Sequence, residues 1–338
     1  MTRIDAAMKR LVDAYERKID YLRISVTDRC NLRCVYCMPP EGIDLIESAG
    51  ILRYEEFLRI ARVAAAHGVT KIRVTGGEPL VRKGIIGFLR SLASLDGLTD
   101  LSLTTNGVLL KDYAAMLKEA GLKRVNVSLD SMKRDRFRKM TRGDNLEQVL
   151  EGLEEALNVG LVPVKINMVA IKGFNDDEIL DFARLSLEKP YHVRYIEYMP
   201  FNTQEGWQRD KCISAKELKE MIERGVGPLE PVAENAGNAG PAKRYRFKDA
   251  PGEVGFISPV SEHFCGSCNR LRLTSDGKLR NCLFSDREVD LRAALRDGSD
   301  DKVIEDLLFK AVMEKPQGHQ INENIFKKCS RTMSLIGG

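Results

Sequence analysis

The size and charge of the chain exclude several classes of protein. It has 338 residues, of which 43% are hydrophobic and 30% charged, a balance that excludes a disordered chain. The 53 Lys and Arg residues against 49 Asp and Glu residues give a net charge of +4, too small to indicate general binding of nucleic acid or membranes. No apolar run approaches the roughly 18 residues of a membrane-spanning helix, and the N-terminus has no secretory signal, so we expect a cytoplasmic protein.

From about Tyr21 to Pro200, the chain alternates short β-rich runs with amphipathic helical stretches. Residues 1–20 come first and contain a predicted amphipathic helix, Asp5–Arg17. Strands are then predicted at Leu22–Val26, Lys71–Thr75, Leu101–Thr105, Arg124–Leu129, Val164–Ile171 and His192–Tyr198. Helices are predicted between them at Tyr54–Ala66, Gly84–Leu95, Lys111–Ala120, Leu146–Val159 and Asp176–Glu188. Alternation over residues 21–224 favours a parallel sheet covered by helices. Six units are too few for a closed eight-stranded barrel, so the predicted fold is α/β, a partial (β/α)6 TIM-like barrel.

The pattern changes after Pro200, and the barrel is predicted to end at residue 224. Gly225–Pro241 is rich in Gly, Pro, Ala and Asn, as in a long surface loop. Short strands and helices are then predicted at Arg244–Lys248, Val254–Ile257, Arg270–Leu273, Asp286–Leu295 and Asp301–Met313. Residues 225–338 are therefore predicted to form a smaller α+β extension that packs across the barrel.

Three closely spaced cysteines follow the first predicted strand. Cys30, Cys34 and Cys37 form C-x3-C-x2-C, at the end of the strand where barrel enzymes place their chemistry. Three thiolates suit an iron–sulfur cluster or zinc, and three ligands leave one metal position open, as catalysis requires. The alternative is a structural zinc site that joins the last two of these cysteines to Cys265 and Cys268.

The motif resembles that of the radical SAM enzymes. Tyr36 precedes the last cysteine, as an aromatic residue does in that superfamily, and Thr75-Gly-Gly-Glu-Pro79 resembles its glycine-rich element after the second strand. Glycine permits a close backbone approach, here to the amino group of S-adenosylmethionine. The resemblance implies that the three cysteines bind a [4Fe-4S] cluster with S-adenosylmethionine at its open iron.

A second cysteine group lies near the C-terminus. Cys265 and Cys268 form C-x2-C, and Cys282 follows after 13 further residues. A zinc ribbon that lacks one ligand, with His263 adjacent, is the structural alternative. The incomplete ligand set favours a second iron–sulfur cluster with an open iron, carried by the C-terminal extension.

Seven cations occur on predicted strands that are otherwise apolar. Because side chains two residues apart in a strand share a face, Lys71 points with Arg73, and Arg270 points with Arg272. The other three cations are Arg23, Lys165 and Arg194. A single such cation is usually an edge residue or an ion-pair partner, but seven buried charges need an anionic partner. We therefore predict a cavity for a polyanion such as a triphosphate, which Arg suits through bidentate contacts.

Together these features resemble the GTP 3′,8-cyclase family of molybdenum cofactor biosynthesis. The resemblance rests on the two cysteine triplets, the Arg-x-Arg pair between Cys268 and Cys282, and the terminal Gly337-Gly338, and it covers the chain from about Tyr21 onward. It implies two [4Fe-4S] clusters, S-adenosylmethionine and GTP, with hydrogen removed from ribose C3′ and a new bond formed to guanine C8. It also implies a low-potential electron donor and a downstream cyclic pyranopterin monophosphate synthase. The predicted N-terminal helix could serve a homodimer contact.

The resemblance also implies roles for individual residues. The residues that would contact S-adenosylmethionine are Tyr36, Gly77, Ser128 and Met199. The residues that would contact GTP are Arg23, Lys71, Arg73, Thr104, Lys165, Arg194, Arg270 and Arg272. Thr105 competes with Thr104 for its role, and the second cysteine triplet would hold the guanine through its open iron. Gly337 and Gly338 would reach into the active site and assist the reaction.

Two other functions remain alternatives. A radical SAM enzyme that matures peptides also carries auxiliary clusters near its C-terminus, but it is expected to have more cysteines there, and it gives no reason for the cations on the strands. A zinc-stabilised nucleic-acid-binding protein is expected to show a contiguous basic stripe and a high net charge. The scattered cations and the net charge of +4 disfavour this second alternative.

Overall fold

A computed structural model describes residues 9–199, 209–233, 240–319 and 331–337 of the chain. Within these residues, twelve strands join a single sheet. The strands are β1 (Tyr21–Ser25), β2 (Lys71–Thr75), β3 (Asp100–Thr105), β4 (Arg124–Ser128), β5 (Val164–Ala170), β6 (Tyr191–Glu197), β7 (Glu230–Pro231), β8 (Ala242–Arg246), β9 (Glu253–Ile257), β10 (Arg270–Leu273), β11 (Lys278–Arg280) and β12 (Val289–Asp290). The α-helices are α1 (Tyr54–Ala66), α2 (Ile85–Ala93), α3 (Leu110–Glu119), α4 (Arg134–Thr141), α5 (Leu146–Asn158), α6 (Ile179–Glu188), α7 (Ala215–Gly225), α8 (Arg292–Arg296), α9 (Asp301–Met313) and α10 (Met333–Ile336).

The centre of the sheet is parallel. The strand order is β12-β11-β10-β1-β2-β3-β4-β5-β6-β9-β8-β7. Pairing is parallel from β10 through β1–β6 to β9, and it is antiparallel at both ends of the sheet. The run β1–β6, with helices between its strands, confirms the predicted partial barrel.

The position of the C-terminal region differs from the prediction. The sequence predicts an extension packed across the barrel, whereas β9 and β10 continue the barrel sheet itself. β10 pairs with β1 at one edge, and β9 pairs with β6 at the other. These pairings satisfy backbone amide and carbonyl groups that would stay unpaired at the two edges of a six-stranded sheet. The predicted boundary at residue 225 therefore lies between two stretches of one continuous sheet.

The two faces of the parallel strands have opposite chemistry. In β1, Leu22 and Ile24 are fully buried and belong to the hydrophobic core that also contains Phe57 of α1. Arg23 alternates with them and is in register with Arg73 of β2. Because successive side chains of a strand point to opposite faces, the apolar residues lie under the helices and the cations lie inside the curved sheet.

The N-terminal segment does not contain the predicted helix in its described part. Residues 9–20 form a turn closed by an antiparallel bridge. The Asp13 carboxylate accepts hydrogen bonds from the backbone N–H groups of Tyr15 and Arg17 at 2.9 and 3.0 Å, and it pairs with the Arg17 guanidinium at 2.6 Å. Such side-chain bonds to the local backbone stabilise a turn in competition with a helix. The prediction of a helix at Asp5–Arg17 is therefore wrong over residues 9–17, and residues 1–8 lie outside the described part.

Four further elements differ from the prediction. The predicted helix Asp286–Leu295 is largely non-helical, because β12 occupies its centre and only the short helix α8 occupies its end. Helices α4 and α7 have no counterpart in the sequence prediction. Strand β7 lies within the predicted loop Gly225–Pro241, of which residues 234–239 are outside the described part. No helix that the structure describes is long and apolar enough to cross a membrane.

Candidate functional site

Both cysteine triplets line one cavity inside the curved sheet. Its wall contains residues at the carboxyl ends of successive strands, such as Thr75, Thr105 and Ser128. Side chains from β9 and β10, the outermost parallel strands, line the same cavity, so the sheet curves far enough to enclose it. The sequence-predicted site residues in the cavity wall are Arg23, Cys30, Cys34, Tyr36, Cys37, Arg73, Gly77, Thr104, Ser128, Arg194, Met199, Cys265, Cys268, Arg270, Arg272 and Cys282.

The first cysteine triplet lies in the loop between β1 and α1. A tight turn brings Cys34 and Cys37 together, because the backbone N–H groups of Cys37 and Met38 both donate to the Cys34 carbonyl, at 2.9 and 3.1 Å. The Cys30 sulfur accepts a hydrogen bond from the backbone N–H of Leu32 at 3.4 Å. Burial raises the pKa of Cys30 to about 11 and that of Cys37 to about 12. Buried thiols of this kind become thiolates when a bound metal compensates their charge.

The glycine-rich element packs directly on the backbone of this cysteine loop. The N–H of Gly77 donates to the Thr27 carbonyl at 2.7 Å, and the N–H of Glu78 donates to the Arg29 carbonyl at 2.8 Å. A Cβ on Gly77 would lie 2.4 Å from the Arg29 carbonyl oxygen, so a larger residue does not fit. The sequence analysis explained this glycine by the approach of a ligand; the structure shows that the approach of two protein segments already requires it.

Two neighbouring threonines in the cavity wall differ in whether their hydroxyl groups have hydrogen-bond partners. The Thr105 hydroxyl donates to the Glu78 carboxylate at 2.8 Å and accepts from the N–H of Gly107 at 3.1 Å. The Thr104 hydroxyl and the side-chain oxygen of Asn167 are buried without a hydrogen-bond partner in the described part of the chain. An unsatisfied buried polar group costs about 1–3 kcal/mol, so these two atoms fit a cavity that receives a polar ligand.

The second cysteine triplet combines two separate segments. Cys265 and Cys268 lie in a single 3-10 turn before β10, and Cys282 follows β11. Burial acts to raise the pKa of Cys268, but the positive charges of Arg270 and Lys315 outweigh it and lower that pKa to about 6. Nearby cations favour the thiolate, which is the form that binds a metal.

Two cations that the sequence analysis did not identify connect the second triplet to distant segments. The Arg17 guanidinium donates to the carbonyls of Cys265 and Pro316, both at 2.7 Å. The Lys315 ammonium donates to the Arg270 carbonyl at 3.0 Å. Both cations are buried. Neither belongs to a sequence motif, and only the contacts between distant segments reveal their role.

The tightest group of metal-binding side chains includes two histidines. Only one group of at least three such side chains among the described residues has all its ligand atoms within 4.8 Å of one another. It consists of His263, Cys265 and His319. Tetrahedral zinc with bonds of about 2.3 Å needs sulfurs roughly 3.8 Å apart. Among the described residues no such group joins cysteines of both triplets, so the geometry does not support the zinc alternative. The cysteines of a four-iron cluster bind different iron atoms and need not lie so close together.

Arginine side chains approach the cavity from opposite sides. Arg23, Arg73 and Arg272 are in register on the neighbouring strands β1, β2 and β10. Arg194 enters the wall from β6. Burial, together with the charge of Arg73 and other cations, lowers the pKa of Arg194 to about 9. Because these charges are buried or half-buried and repel one another, a bound anion would stabilise the arrangement.

Lys71 and Lys165 lie outside the cavity wall, near the amino ends of their strands. Lys71 has an acidic neighbour, since its ammonium is 3.8 Å from the Asp100 carboxylate. Lys165 is buried, and its burial, together with the charges of Arg194 and Arg124, lowers its pKa to about 5. Within the described part of the chain, the charge of Lys165 is therefore the less compensated of these two predicted substrate contacts.

The predicted contacts of S-adenosylmethionine share the same cavity wall. The Tyr36 hydroxyl donates to the Asp130 carboxylate at 2.8 Å, and the same carboxylate accepts from the N–H of Val169 at 2.8 Å. Burial raises the pKa of Asp130 to about 6. Asp130 therefore connects the cysteine loop to the ends of β4 and β5, a role that the sequence analysis did not assign.

The described end of the chain reaches the cavity region. Gly337 has a φ of 81°, and its carbonyl accepts a hydrogen bond from the Arg272 guanidinium at 2.8 Å. A Cβ on Gly337 would lie 2.8 Å from Cγ2 of Thr75, at the end of β2, so glycine is required by space as well as by conformation. Gly338 lies outside the described residues.

Comparison with known families covers most of the chain. The model of the Radical SAM superfamily matches residues 24–186, and that of Molybdenum Cofactor Synthesis C matches residues 191–321. The GTP 3′,8-cyclase of Pelotomaculum thermopropionicum is 52% identical over 326 residues, which cover 96% of this chain and 99% of that protein. The GTP 3′,8-cyclase of Thermodesulfovibrio yellowstonii is 51% identical, with coverage of 96% and 99%.

Solved structures share the fold at much lower identity. Streptococcus suis SuiB superposes with a TM-score of 0.60 at 16% identity, covering 91% of this chain and 69% of that chain. The structure of anSMEcpe with bound AdoMet has a TM-score of 0.57 at 17% identity, with coverage of 90% and 83%. These structures support the fold alone. The identity of about half of all residues over nearly the full length shows more: the chain belongs to the GTP 3′,8-cyclase family of the radical SAM superfamily.

Proposed function

We propose that this chain cyclises GTP to (8S)-3′,8-cyclo-7,8-dihydroguanosine 5′-triphosphate, the first step of molybdenum cofactor biosynthesis. One observation carries the proposal: two cysteine triplets line a single cavity together with several Arg side chains. The cavity thus offers two metal sites and an anion site to one substrate. The full-length relatives named GTP 3′,8-cyclase support the same reaction.

We assign Cys30, Cys34 and Cys37 to a [4Fe-4S] cluster that leaves one iron for S-adenosylmethionine. Such a cluster, once reduced, supplies with this cofactor a carbon radical that takes a hydrogen atom from the substrate. The chain contributes the position of the cofactor and the exclusion of water from the reacting atoms. The residues that we propose to contact S-adenosylmethionine are Tyr36, Gly77, Ser128 and Met199.

We assign Cys265, Cys268 and Cys282 to a second [4Fe-4S] cluster, whose open iron would bind the guanine. The residues that we propose to contact GTP are Arg23, Lys71, Arg73, Thr104, Lys165, Arg194, Arg270 and Arg272. Guanidinium groups offer bidentate hydrogen bonds to phosphate oxygens, and a triphosphate would compensate their mutual repulsion. Thr104 is preferred to Thr105 because its buried hydroxyl has no partner among the described residues.

The C-terminal tail would assist the reaction through Gly337 and Gly338. The hydrogen bond between Arg272 and the Gly337 carbonyl supports this role, because it joins the tail to one of the proposed GTP contacts. In this position the tail would hold the guanidinium of Arg272 in place for the substrate.

The proposal also covers the enzyme that uses the product, the electron donor, the cellular compartment and the oligomeric state. The product would pass to a cyclic pyranopterin monophosphate synthase, and a low-potential donor would supply the electron. Seven described cysteines are free thiols, which suits the reducing cytoplasm. The homodimer was motivated by an N-terminal helix, and residues 9–17 as described form no helix that would support it.

The decisive experiment measures metal content and then product. Protein purified without oxygen should contain about eight irons per chain with matching sulfide, as two four-iron clusters require. Incubation with S-adenosylmethionine, GTP and a reductant should then yield the cyclised nucleotide, identified by mass spectrometry. About one zinc without sulfide would contradict the cluster assignment. Cleavage of S-adenosylmethionine without any cyclised nucleotide would instead favour the peptide-maturing alternative.

A further inference from the structure

The positive charge of the chain is concentrated in one short segment. Residues 133–142 contain six Lys or Arg residues and one Asp, a net charge of +5, whereas the whole chain carries only +4. Helix α4 spans most of this segment. A charge excess confined to ten residues creates a local positive potential that the composition of the chain as a whole does not show.

Acidic residues neutralise only the beginning of this segment. Lys133 pairs with Asp177 at 2.6 Å, and Arg134 pairs with Asp144 at 2.9 Å. Arg136 pairs with Asp177 as well.

The cations at the end of α4 and on the adjoining cysteine loop differ from these. They are all exposed, and among the described residues none forms an ion pair with a carboxylate. The four residues, which we call the α4 patch, are Arg33, Arg138, Lys139 and Arg142.

The α4 patch adjoins the first cysteine triplet. The backbone N–H groups of Arg33 and Val35 donate to the carbonyls of Thr141 and Met140, the last two residues of α4, both at 2.9 Å. The Arg142 guanidinium donates to the carbonyl of Arg33 at 2.7 Å. The end of the basic helix is therefore hydrogen-bonded to the loop that carries Cys30, Cys34 and Cys37.

An exposed apolar residue lies in the same loop. Val35, between Cys34 and Tyr36, leaves 37% of its surface exposed. An apolar contact surrounded by charges of one sign is suited to a small, transient interface in which charge complementarity guides the encounter.

We infer that the α4 patch is the docking surface of an acidic one-electron carrier protein. The carrier loses one electron and the cluster assigned to the first triplet gains it, with no bond formed or broken and no proton transferred. Because the α4 patch is hydrogen-bonded to the loop that carries the first cysteine triplet, a carrier bound to the patch lies next to the cluster that accepts its electron. The inference rests on the proposed assignment of that cluster.

The position of the patch favours a protein carrier over nucleic acid. The paired cations at the start of α4 leave excess charge only at the end that contacts the cysteine loop. A nucleic-acid surface would instead need a contiguous basic stripe that follows the phosphate backbone. An acidic protein requires only a compact patch of cations. Because this patch lies beside the loop that carries the first cysteine triplet, a protein bound there could deliver an electron to the cluster.

The test uses the reconstituted enzyme and a reduced bacterial flavodoxin as the acidic probe. The double variant R138E/K139E should lower the rate of cluster reduction, followed by stopped-flow absorbance, by about 10-fold or more at low salt. Added salt should diminish the difference between the variant and the original chain. The neutral variant R138Q/K139Q should show a smaller decrease of the same kind, and both variants should bind the flavodoxin more weakly in calorimetry.

Two controls make the result specific. R62E/K310E reverses an exposed Arg and an exposed Lys on α1 and α9, and it should be reduced by flavodoxin at the original rate. The cationic radical of methyl viologen needs no docking surface and should reduce all variants equally.

Several outcomes would overturn the inference. Equal flavodoxin rates for the original chain and R138E/K139E would show that the α4 patch does not guide the carrier. Unchanged flavodoxin reduction combined with lost binding of a transfer RNA probe would make it a nucleic-acid surface. If methyl viologen fails to reduce the original chain, the cluster assignment itself is wrong and the docking inference falls with it.

Discussion

The two cysteine triplets have the same number of ligands but differ in their electrostatic surroundings. Around the first triplet, burial raises the pKa of Cys30 to about 11, and the nearby Glu78 carboxylate acts in the same direction. Around the second, burial likewise raises the pKa of Cys265, but Arg270 and Lys315 lower the pKa of Cys268 to about 6 in spite of its burial. At the first site a metal must compensate the thiolate charge, whereas at the second the protein supplies part of that compensation.

This difference suits two different ligands. A cluster without buried cations beside its ligands fits S-adenosylmethionine, which carries a positive sulfonium and needs no additional cations from the protein. A cluster next to buried arginines fits a substrate with a triphosphate. The contrast therefore predicts that substitutions near the two triplets separate cleavage of the cofactor from binding and cyclisation of GTP.

The largest expected effect comes from the cysteines themselves. Replacing Cys34 with Ala should abolish formation of 5′-deoxyadenosine, because the proposed cofactor site loses a ligand. Replacing Cys282 with Ala should leave cleavage within a few-fold of the original chain, but lower the cyclised product by about 100-fold or more, because the substrate loses its position. Both products are quantified by chromatography in one reaction. Equal loss of deoxyadenosine in both variants would disprove the division of labour.

The next largest effect is expected for Arg270, whose charge acts on the second cysteine triplet and which is also a proposed GTP contact. Arg270→Ala should weaken GTP binding by about 10- to 100-fold, the effect of one lost hydrogen bond between charged groups at about 1.5–3 kcal/mol. Arg270→Lys keeps the charge and should recover part of the affinity. Calorimetric titration measures both. GTP affinity that does not change in the Ala variant would exclude Arg270 from the binding site.

Lys165 provides a test that depends on pH. Its pKa of about 5 means that it is neutral at pH 7 while the site is empty, because burial and the neighbouring Arg194 disfavour its charge. A bound triphosphate would raise that pKa, so GTP binding at pH 7 should take up as much as about one proton at this residue. The uptake should disappear below pH 5, where Lys165 is already protonated.

Calorimetry in two buffers of different ionisation enthalpy measures this uptake. Lys165→Met is the matched variant, because any proton released by GTP itself is common to both proteins. The original chain should take up more protons than the variant. Identical proton counts for the two proteins would show that Lys165 does not respond to the triphosphate.

The smallest expected effect concerns the first site. Tyr36→Phe removes the hydrogen bond of 2.8 Å to Asp130, which connects the cysteine loop to β4 and β5. The loss of about 1 kcal/mol should weaken binding of S-adenosylmethionine by about five-fold and leave GTP affinity unchanged. Equilibrium binding of each ligand separates the two effects. A variant that loses GTP affinity to the same degree would show that the sites are not independent.

Much of the fold was predictable because its signals are local. The bounds of α1, α9, β2 and β10 agree with the sequence prediction residue for residue, since apolar periodicity and flanking glycines are read within a few residues. The N-terminal helix was mispredicted for the opposite reason. The apolar stripe of Asp5–Arg17 indicates a helix, but Arg17 donates to the carbonyls of Cys265 and Pro316, and such distant contacts outweigh a weak local preference.

The residues of the candidate site likewise divide into those with a local sequence signal and those whose role depends on distant contacts. The cysteine spacing, Thr75-Gly-Gly-Glu-Pro79 and the alternating cations could be identified from the sequence, and sixteen of the residues predicted from them and from the family resemblance lie in one cavity wall. Lys315 and Asp130 could not be identified, because each acts through partners that are distant in sequence.

The sequence by itself determined the chemistry of this protein: two sets of three thiols, a glycine-rich element, and cations spaced to share a strand face. Only the tertiary structure decided how these groups meet. β10 pairs with β1, which brings the second triplet and its arginines into the cavity that the first triplet already lines. The physical reason is that ligand spacing is a local property of the chain, whereas strand pairing depends on which distant edges can satisfy each other's backbone hydrogen bonds.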